Sequence, residues 1–325
     1  MRIAVLDDYQ DAFRSHAKFG ALGGHDVTVF TDPLKDADAL ADRLAPFDAL
    51  VLIQQRTPLT ASLISRLPNL KFISQTGRNT YHVDLAQCAK QEITVSAGGA
   101  GEPSSTAELT WGLVLAASRH IPAGVGNLQA GRWQSTLGVQ LKGRILGVYG
   151  FGRIGSIVAG YGRAFGMRVL CFGREGSVER AKAAGYEVPS SRAAFFAASD
   201  VVCVHVALTP ETRGGITAAD LGHMKPDALF VNTSRGPVVE PGALEAALLA
   251  VRPGRAAVDV HDDEPVLGAS DPLIGLPNAL CTPHLGYVTR ETYDALYGAA
   301  IDQIVAYAAG APMNLVELPP SGRRG

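Results

Sequence analysis

The stretch ILGVYGFGRIG, residues 145–155, decides the fold of this chain. Its first five residues form an apolar run typical of a buried strand, and a helical pattern begins directly after the glycines. Gly150, Gly152 and Gly155 have the spacing GxGxxG, and Arg153 and Ile154 complete the loop. Between a strand and a helix, this spacing predicts a dinucleotide site, because the glycines allow a tight turn, close approach of a pyrophosphate and close helix packing.

Around this stretch, short apolar runs alternate with amphipathic ones, which predicts an α/β fold with parallel sheets covered by helices on both faces. A Gly-, Pro- and Ser-rich loop at 96–105 separates two such units, and a helical stretch at 289–309 has no strand after it. We therefore predict a dinucleotide-binding domain at 101–288 and a discontinuous substrate domain at 1–100 and 289–325. The predicted strands are 2–7, 26–30, 48–53, 70–75 and 93–97, then 145–149, 168–172, 201–206, 228–232, 256–260 and 279–282.

Composition narrows the class of protein. Lys and Arg number 29 and Asp and Glu 31, a balance that argues against a nucleic-acid binder or a membrane-surface protein. No apolar run reaches the roughly 18–20 residues of a membrane span, and the N-terminal residues lack a signal-peptide layout. Four cysteines stand singly in apolar segments, which predicts reduced, buried thiols: Cys88, Cys171, Cys203 and Cys281. These features favour a cytoplasmic protein.

The strand after the glycine loop bears on the choice of cofactor. NAD-binding loops carry an acidic residue about 20 residues after the glycines, bonded to a ribose hydroxyl. Here that position is Gly173, followed by Arg174. Without a carboxylate a 2′-phosphate is not repelled, and Arg174 can pair with it, which favours NADP over NAD. In the alternative, Glu175 reaches the ribose of NAD and Arg174 is a solvated surface charge.

Three further polar segments each follow a predicted strand: NTSRGP with Arg235, DVHDDEP with Glu264, and TPHLG with His284. The carboxyl ends of strands form the ligand crevice of a doubly wound sheet, so these side chains are expected to converge. Histidine suits proton transfer at neutral pH, a paired carboxylate would favour its protonated form, and arginine offers a planar fork to a carboxylate. Taken singly, each residue has a plainer interpretation as a salt bridge, a loop carboxylate or a turn residue.

With these segments in view, the chain resembles the D-isomer-specific 2-hydroxyacid dehydrogenases, in the D-3-phosphoglycerate-dehydrogenase-like branch. The resemblance implies a Rossmann cofactor domain and a flavodoxin-like substrate domain, with Arg235, Glu264 and His284 as the catalytic residues. It also implies interconversion of a small anionic D-2-hydroxyacid and its 2-ketoacid, and a homodimer formed through helix 105–119 and the irregular or amphipathic segment 120–133. The segments that carry it are GFGRIG (150–155), HVALTPETRGGI (205–216), NTSRGPVVE (232–240), DVHDDEP (259–265) and TPHLG (282–286).

The resemblance also implies further contacts. Gly77 belongs to a loop whose amides face the substrate carboxylate, Arg56 lies near the same cleft, and Arg78 either reaches a second anionic group or is solvated. Glutamines flank Arg56 where phosphoglycerate enzymes have more arginines, which argues against phosphoglycerate itself. The residues expected to line the cofactor cleft are Val206, Ala207, Thr212, Thr233, Ser234, Asp259 and Gly286.

Other functions remain open at this point. A non-enzymatic, nucleotide-sensing binding protein of the corepressor type can retain the same residues. A formate dehydrogenase is disfavoured, because relatives with that chemistry have Gln where this chain has Glu264. No metal site is predicted: His261 with Asp262 and Asp263 is a weak cluster, interpreted as loop.

Overall fold

A computed structural model describes residues 1–99 and 101–320, which form two compact units. The first unit comprises Met1–Glu102 and the segment that starts at Thr289, and the second is Pro103–Val288. Ala100, where the predicted boundary of the first domain falls, and residues 321–325 lie outside the described residues. Each unit contains its own sheet of parallel strands, and an isolated antiparallel bridge joins Ser96 to Leu315 in the first unit.

The sheet of the first unit has five strands in the order β2-β1-β3-β4-β5, the flavodoxin-like arrangement. Every residue of β3 and β4 is buried, as expected of strands covered by helices on both faces. The elements are β1 (Arg2–Val5), β2 (Asp26–Val29), α1 (Ala37–Leu44), β3 (Ala49–Leu52), α2 (Ala61–Ser65), β4 (Phe72–Thr76), α3 (Leu85–Lys90) and β5 (Thr94–Gly98).

Local sequence explains where these helices begin. Each of these three helices is preceded by a residue whose side chain accepts a hydrogen bond from the amide three residues later. These residues are Asp36 before α1, Thr60 before α2 and Asp84 before α3. Such caps satisfy an amide that the first helical turn leaves without a partner.

The second unit contains a six-stranded sheet in the order β11-β10-β9-β8-β6-β7. All eleven strands predicted in the chain are found, five in the first unit and these six in the second. The elements are α4 (Pro103–Ser118), α5 (Ile121–Gln129), β6 (Ile145–Tyr149), α6 (Arg153–Ala164), β7 (Arg168–Phe172), α7 (Glu175–Ala183), α8 (Arg192–Ala198), β8 (Val201–Val204), α9 (Ala218–His223), β9 (Leu229–Asn232), α10 (Ala243–Leu249), β10 (Arg255–Val258) and β11 (Ala279–Cys281).

One further pairing completes the Rossmann order of this sheet. Glu187 forms a parallel bridge with Leu170 on the outer side of β7, and its carbonyl accepts the amide of Cys171 at 2.8 Å. Counted as a strand, this bridge gives the order 3-2-1-4-5-6 with one strand added at the end. This strand was not predicted, because a strand reduced to one bridge has no periodic pattern of its own in the sequence.

The sheet of the second unit lies between two apolar cores. Along β8, Val201 and Cys203 belong to one core, whereas Val202 and Val204 belong to the other. Successive side chains of a strand point to opposite faces, so burial on both sides explains the unbroken apolar runs of this sheet.

The chain returns to the first unit through helix α11 (Arg290–Ala308). The ring of Tyr307 stacks on Phe72 of β4 with 4.2 Å between ring centroids, and the Ser74 hydroxyl donates to Gln303 Oε1 at 2.7 Å. The helix predicted at 289–309 therefore packs on the sheet of the first unit.

Two predictions from composition concern membrane spans and the burial of the cysteines. No helix among the described residues has both the length and the apolar character needed to cross a bilayer. Cys88, Cys171 and Cys203 are buried free thiols, but Cys281 is only half-buried. Its predicted burial was wrong, because Cys281 ends β11, the edge strand of its sheet.

Candidate active site

The glycine loop follows β6 at the switch point of the second sheet, between β6 and β8. Gly150 has a φ of +102°, and a Cβ there would lie 2.6 Å from the carbonyl oxygen of His205. A Cβ on Gly155 would lie 2.0 Å from the carbonyl oxygen of Gly150, whereas one on Gly152 would meet no atom within 4 Å. Two of the glycines are thus required by packing, and the third faces open space, which leaves room for a ligand.

Helix α6 begins directly after Gly152, and no side chain caps its N-terminus. Arg153 is exposed in its first turn, and Ile154 packs against the core of the unit. Uncapped amides and the positive end of the helix dipole suit a phosphate. The loop therefore fits the dinucleotide predicted for it.

Ser177, in the first turn of α7, holds the glycine loop by a hydrogen bond. Its hydroxyl accepts the amide of Phe151 at 2.6 Å, and a Cβ on Gly173 would lie 3.0 Å from the same oxygen. Arg174 is exposed and reaches the Thr209 hydroxyl at 3.4 Å. A side chain at position 173 would crowd the Ser177 hydroxyl, and the glycine there supplies no carboxylate to a ribose.

The residues after β8 form a tight turn beside the glycine loop. The Thr212 hydroxyl donates to the carbonyl of Ala207 at 2.6 Å and accepts the amide of Thr209 at 2.7 Å. The Val206 side chain is among the atoms nearest to Gly150. Burial lowers the pKa of His205 to about 4, so this histidine is neutral near pH 7.

Arg235 lies on the loop after β9, which is internally bonded. The Asn232 side chain accepts the amide of Ser234 and donates to the carbonyl of Arg235, both at 3.0 Å. The hydroxyl of Thr233 lies 2.7 Å from that of Thr110 on α4, which ties the loop to a helix. These hydrogen bonds fix the position of Arg235 at the carboxyl end of β9, which is an inner strand of the sheet.

Glu264 and His284 follow β10 and β11, which are neighbours in the sheet. Glu264 Oε2 and His284 Nδ1 lie 2.5 Å apart, and both side chains are about one-third exposed or less. The amide of His261 donates to the other oxygen, Oε1, at 2.8 Å. Burial alone would raise the pKa of the Glu264 carboxyl, but the hydrogen bond and charge of His284 and the His261 amide hold it below its ordinary value.

Asp259, at the end of β10, holds the turn that carries His284. One of its oxygens accepts the Thr282 hydroxyl at 2.6 Å and the Leu285 amide at 2.7 Å, and the other accepts the Gly286 amide at 2.8 Å. Burial raises the pKa of the Asp259 carboxyl, and these donors offset only part of that effect.

The same turn is held from its other side by the first turn of α4. The hydroxyls of Ser105 and Thr106 each donate to the carbonyl of Gly286 at 3.0 Å. His284 itself has a φ of +53°, a conformation that non-glycine residues adopt only when neighbouring contacts hold it. The contacts of Asp259 and of α4 supply that support.

In the first unit, the Arg56 side chain contacts three other residues of that unit. Its guanidinium donates to the carbonyl of Asp7, donates to the Tyr293 hydroxyl at 3.1 Å, and lies 4.6 Å above the centre of the Tyr9 ring. This side chain was predicted to bind substrate, whereas much of its donor capacity is used within the first unit.

Gly77 and Arg78 lie at the end of β4. Gly77 has a φ of +82°, and its amide donates to the carbonyl of Gly98 at 2.6 Å. The amide of Gly77 is therefore used inside the sheet, and any amide offered to a ligand belongs to a residue that follows it. Arg78 is exposed at this loop.

Several residues that shape the site had no signal in the sequence. Three hydroxyl side chains contact residues far away in the sequence: Ser177, Ser105 and Thr106. The sequence around each of them is that of an ordinary helix start. His261 lies in a loop, as interpreted from the sequence, but its burial had no signal there, and its ring nitrogens contact Asp271 and Thr282. Within residues 1–99 and 101–320, no group of three His, Cys, Asp or Glu side chains could hold a metal ion.

Comparison with known proteins agrees with this geometry. Residues 111–286 match the family described as D-isomer specific 2-hydroxyacid dehydrogenase, NAD binding domain. A glyoxylate reductase from Aeropyrum pernix is 35% identical over 290 residues, which are 86% of this chain and 85% of that protein. The chain belongs to the D-isomer specific 2-hydroxyacid dehydrogenase family. It is therefore an oxidoreductase that uses NAD or NADP.

Two further similarities place this dehydrogenase within the family. A D-3-phosphoglycerate dehydrogenase from Archaeoglobus fulgidus is 34% identical over 280 residues, which are 85% of this chain but 53% of that protein. The chain thus spans about half the length of that relative. The solved structure of a phosphoglycerate oxidoreductase from Vibrio cholerae is 48% identical, with a TM-score of 0.92, covering 96% of this chain and 100% of that chain.

Proposed function

We propose that this dehydrogenase interconverts a D-2-hydroxyacid and its 2-ketoacid, with His284 as acid and base, Glu264 as its partner and Arg235 as the substrate-binding cation. The observation that carries the proposal is the 2.5 Å contact between His284 Nδ1 and Glu264 Oε2. A bound nicotinamide supplies or accepts the hydride, and proton exchange with the substrate oxygen is the task of this chain.

The pair determines which nitrogen of His284 exchanges the proton. A carboxylate at Nδ1 accepts a hydrogen bond, so Nδ1 keeps its proton, and Nε2 is left to donate to a keto oxygen or to accept from a hydroxyl. The lowered pKa of Glu264 keeps its carboxyl ionised at neutral pH. Reduction then requires the protonated ring, and oxidation requires the neutral ring.

Arg235 supplies the complementary charge. Its planar guanidinium can bind a carboxylate with two parallel hydrogen bonds and polarise the neighbouring keto group. Hydrogen bonds of the Asn232 and Thr233 side chains fix the backbone that carries Arg235 at the end of β9. A small anionic substrate is the ligand that such a site selects.

The two units take different roles in this proposal. The second unit binds the dinucleotide through the loop of Gly150, Gly152 and Gly155, with the turn at Thr212 beside it. The first unit contributes to substrate binding through Arg78 and the loop after Gly77, with Arg56 supporting that surface from within. Glyoxylate, the substrate named for the relative from Aeropyrum pernix, is the first ketoacid to test.

For the cofactor, NADP is preferred over NAD in this proposal. Position 173 is a glycine and supplies no carboxylate, and the exposed Arg174 makes a 3.4 Å contact with Thr209. A 2′-phosphate would therefore meet an exposed cation, and position 173 offers no carboxylate that would repel it. In the alternative, Glu175 at the start of α7 binds the ribose of NAD.

Cofactor oxidation with a panel of 2-ketoacids, run with NADH and with NADPH, tests the proposed function. We expect turnover by the wild type and a loss of roughly a hundredfold to ten-thousandfold in His284→Ala, the range measured for removal of an acid–base group. His223→Ala, at an exposed position on α9, is the matched control. Unchanged turnover in His284→Ala would overturn the assignment. No comparison supports the non-enzymatic alternative.

We further propose a homodimer that covers helix α5. The segment predicted as irregular or amphipathic forms this helix, and none of its residues is buried. Trp133 and Leu137, just beyond it, have exposed fractions of 76% and 92%. Light scattering should give twice the mass of the chain, and Trp133→Asp should weaken the assembly; a monomeric wild type would contradict the proposal. A cytoplasmic location stays a prediction from the sequence.

A further inference from the structure

The His261 ring lies between the loop after β10 and the end of β11. Its Nδ1 is 2.7 Å from Asp271 Oδ2, and its Nε2 is 3.2 Å from the carbonyl oxygen of Thr282. Only 4% of the His261 side chain and 13% of the Asp271 side chain are exposed. This buried pair is separate from the contact between Glu264 and His284.

His261 nevertheless makes hydrogen bonds to Glu264 and to the turn that carries His284. Its amide donates to Glu264 Oε1 at 2.8 Å, while Glu264 Oε2 holds His284. Its ring contacts the carbonyl of Thr282, which also accepts the amide of His284 at 3.1 Å. One residue thus connects the loop of the carboxylate to the turn of the histidine.

The chemistry of the ring contacts restricts which side chain can make them. A carbonyl oxygen can only accept, so Nε2 must carry a proton to bond Thr282. Asp271 accepts the amide of Leu273 with its other oxygen at 2.8 Å, and toward Nδ1 an aspartate carboxylate is likewise an acceptor. Nδ1 then donates as well, so the ring carries both protons, and a phenyl ring in its place would supply neither donor.

We propose that His261 is a positioning residue for the reaction, held by Asp271 in the doubly protonated form that joins the Glu264 loop to the His284 turn. The inference rests on the proposed function of that pair. It acts by geometry: a catalytic group displaced by about 1 Å can lose on the order of a hundredfold in rate. His261 itself touches neither substrate nor cofactor in this proposal.

His261→Phe tests the proposal, because it keeps an aromatic ring and removes both donors. We expect kcat for ketoacid reduction to fall by about tenfold or more with the cofactor Kd close to wild type, and the thermal midpoint to fall as well, because Asp271 loses its buried partner. Asp271→Asn keeps an acceptor oxygen for Nδ1 and should lose less. His223→Phe, which alters an exposed histidine of the same unit, is the control. An unchanged kcat in His261→Phe would overturn the inference.

A double-mutant cycle separates positioning from a general loss of stability. If His261 acts through Glu264, most of the kcat loss in His261→Phe should disappear in a Glu264→Gln background. Losses that multiply in the double variant would contradict the inference. If Glu264→Gln alone leaves kcat unchanged, the proposed function fails instead, so the two failures are distinguishable.

The wild-type protein provides a test that needs no variant. With histidine labelled with ¹⁵N, the two ring nitrogens of His261 should both show directly bonded protons at neutral pH. The signals are assigned by their loss in His261→Phe or, should that variant fail to fold, in Asp271→Asn, where they should shift. A singly protonated His261 ring would overturn the inference.

Discussion

Replacing Glu264 with glutamine is the sharpest perturbation of the candidate site. Glutamine keeps the length of the side chain and one acceptor oxygen for His284 Nδ1, but it removes the negative charge. The structure places that charge 2.5 Å from the ring nitrogen, in surroundings where both side chains are about one-third exposed or less. The change therefore removes the electrostatic part of one contact and leaves the rest of the loop intact.

The size of the effect follows from that contact. A hydrogen bond that involves a charged group contributes about 1.5–3 kcal/mol, against roughly 1 kcal/mol for a neutral one. The difference of ~0.5–2 kcal/mol corresponds to a factor of about 2 to 30, at 1.36 kcal/mol for each tenfold in rate. We expect kcat/KM for ketoacid reduction to fall within this range, near tenfold, because reduction requires the protonated ring that the carboxylate stabilises.

The assay is cofactor oxidation at saturating NADH or NADPH with the ketoacid varied. The cofactor Kd should stay within about twofold of wild type, since Glu264 lies apart from the glycine loop in the sequence and in its contacts. Glu179→Gln, at an exposed position on α7, is the matched control. A Glu264→Gln variant with wild-type kcat/KM and an intact fold would refute the reasoning that the carboxylate supports the acid.

Three other expectations follow from the same structure. Gly152→Ala should weaken cofactor binding by roughly tenfold without lowering the thermal midpoint, because the added methyl group meets no protein atom but occupies the open side of the loop. Gly160→Ala, at a position that is equally open, is the control. Equal cofactor Kd values in the two variants would count against the proposed dinucleotide site. Burial lowers the pKa of His205 from 6.5 to about 4, so the unfolded chain binds the proton first and the free energy of unfolding should drop by up to roughly 3 kcal/mol as pH falls from 6.5 to 4. Urea denaturation should show a smaller drop in His205→Leu, and an identical pH dependence would contradict the burial argument. Arg174→Ala should raise KM for NADPH more than for NADH, and an unchanged ratio of kcat/KM would remove the basis for preferring NADP.

The stability of the acid–base pair has its own pH dependence. Because the pKa of Glu264 is lowered in the folded state, its contribution is present above the ordinary value of 4.5 and is lost as pH falls through the lower folded value. Wild type should therefore lose its stability advantage over Glu264→Gln in acid. Equilibrium unfolding of both proteins at pH 7 and pH 3 measures this, and a constant difference would show that the contact is not ionic.

Local sequence was sufficient to predict most of the architecture. Apolar runs with helical stretches between them predicted all eleven strands, and GxGxxG predicted the turn that Gly150 and Gly155 make. These features are local, because a residue's periodic burial and its permitted φ and ψ depend mainly on its near neighbours in the chain. The chemical types of Arg235, Glu264 and His284 were equally visible in the sequence, since each follows a strand.

Tertiary structure alone decided which of these groups meet. Glu264 and His284 are 20 residues apart and touch because β10 and β11 are neighbours. Arg56 proved to be bonded to Tyr293, 237 residues away, and the loop residue His261 proved to be buried against Asp271 and Thr282. The sequence states which donors and acceptors are available, but the partner of each depends on where the sheet brings distant turns together, and burial then makes those pairings strong.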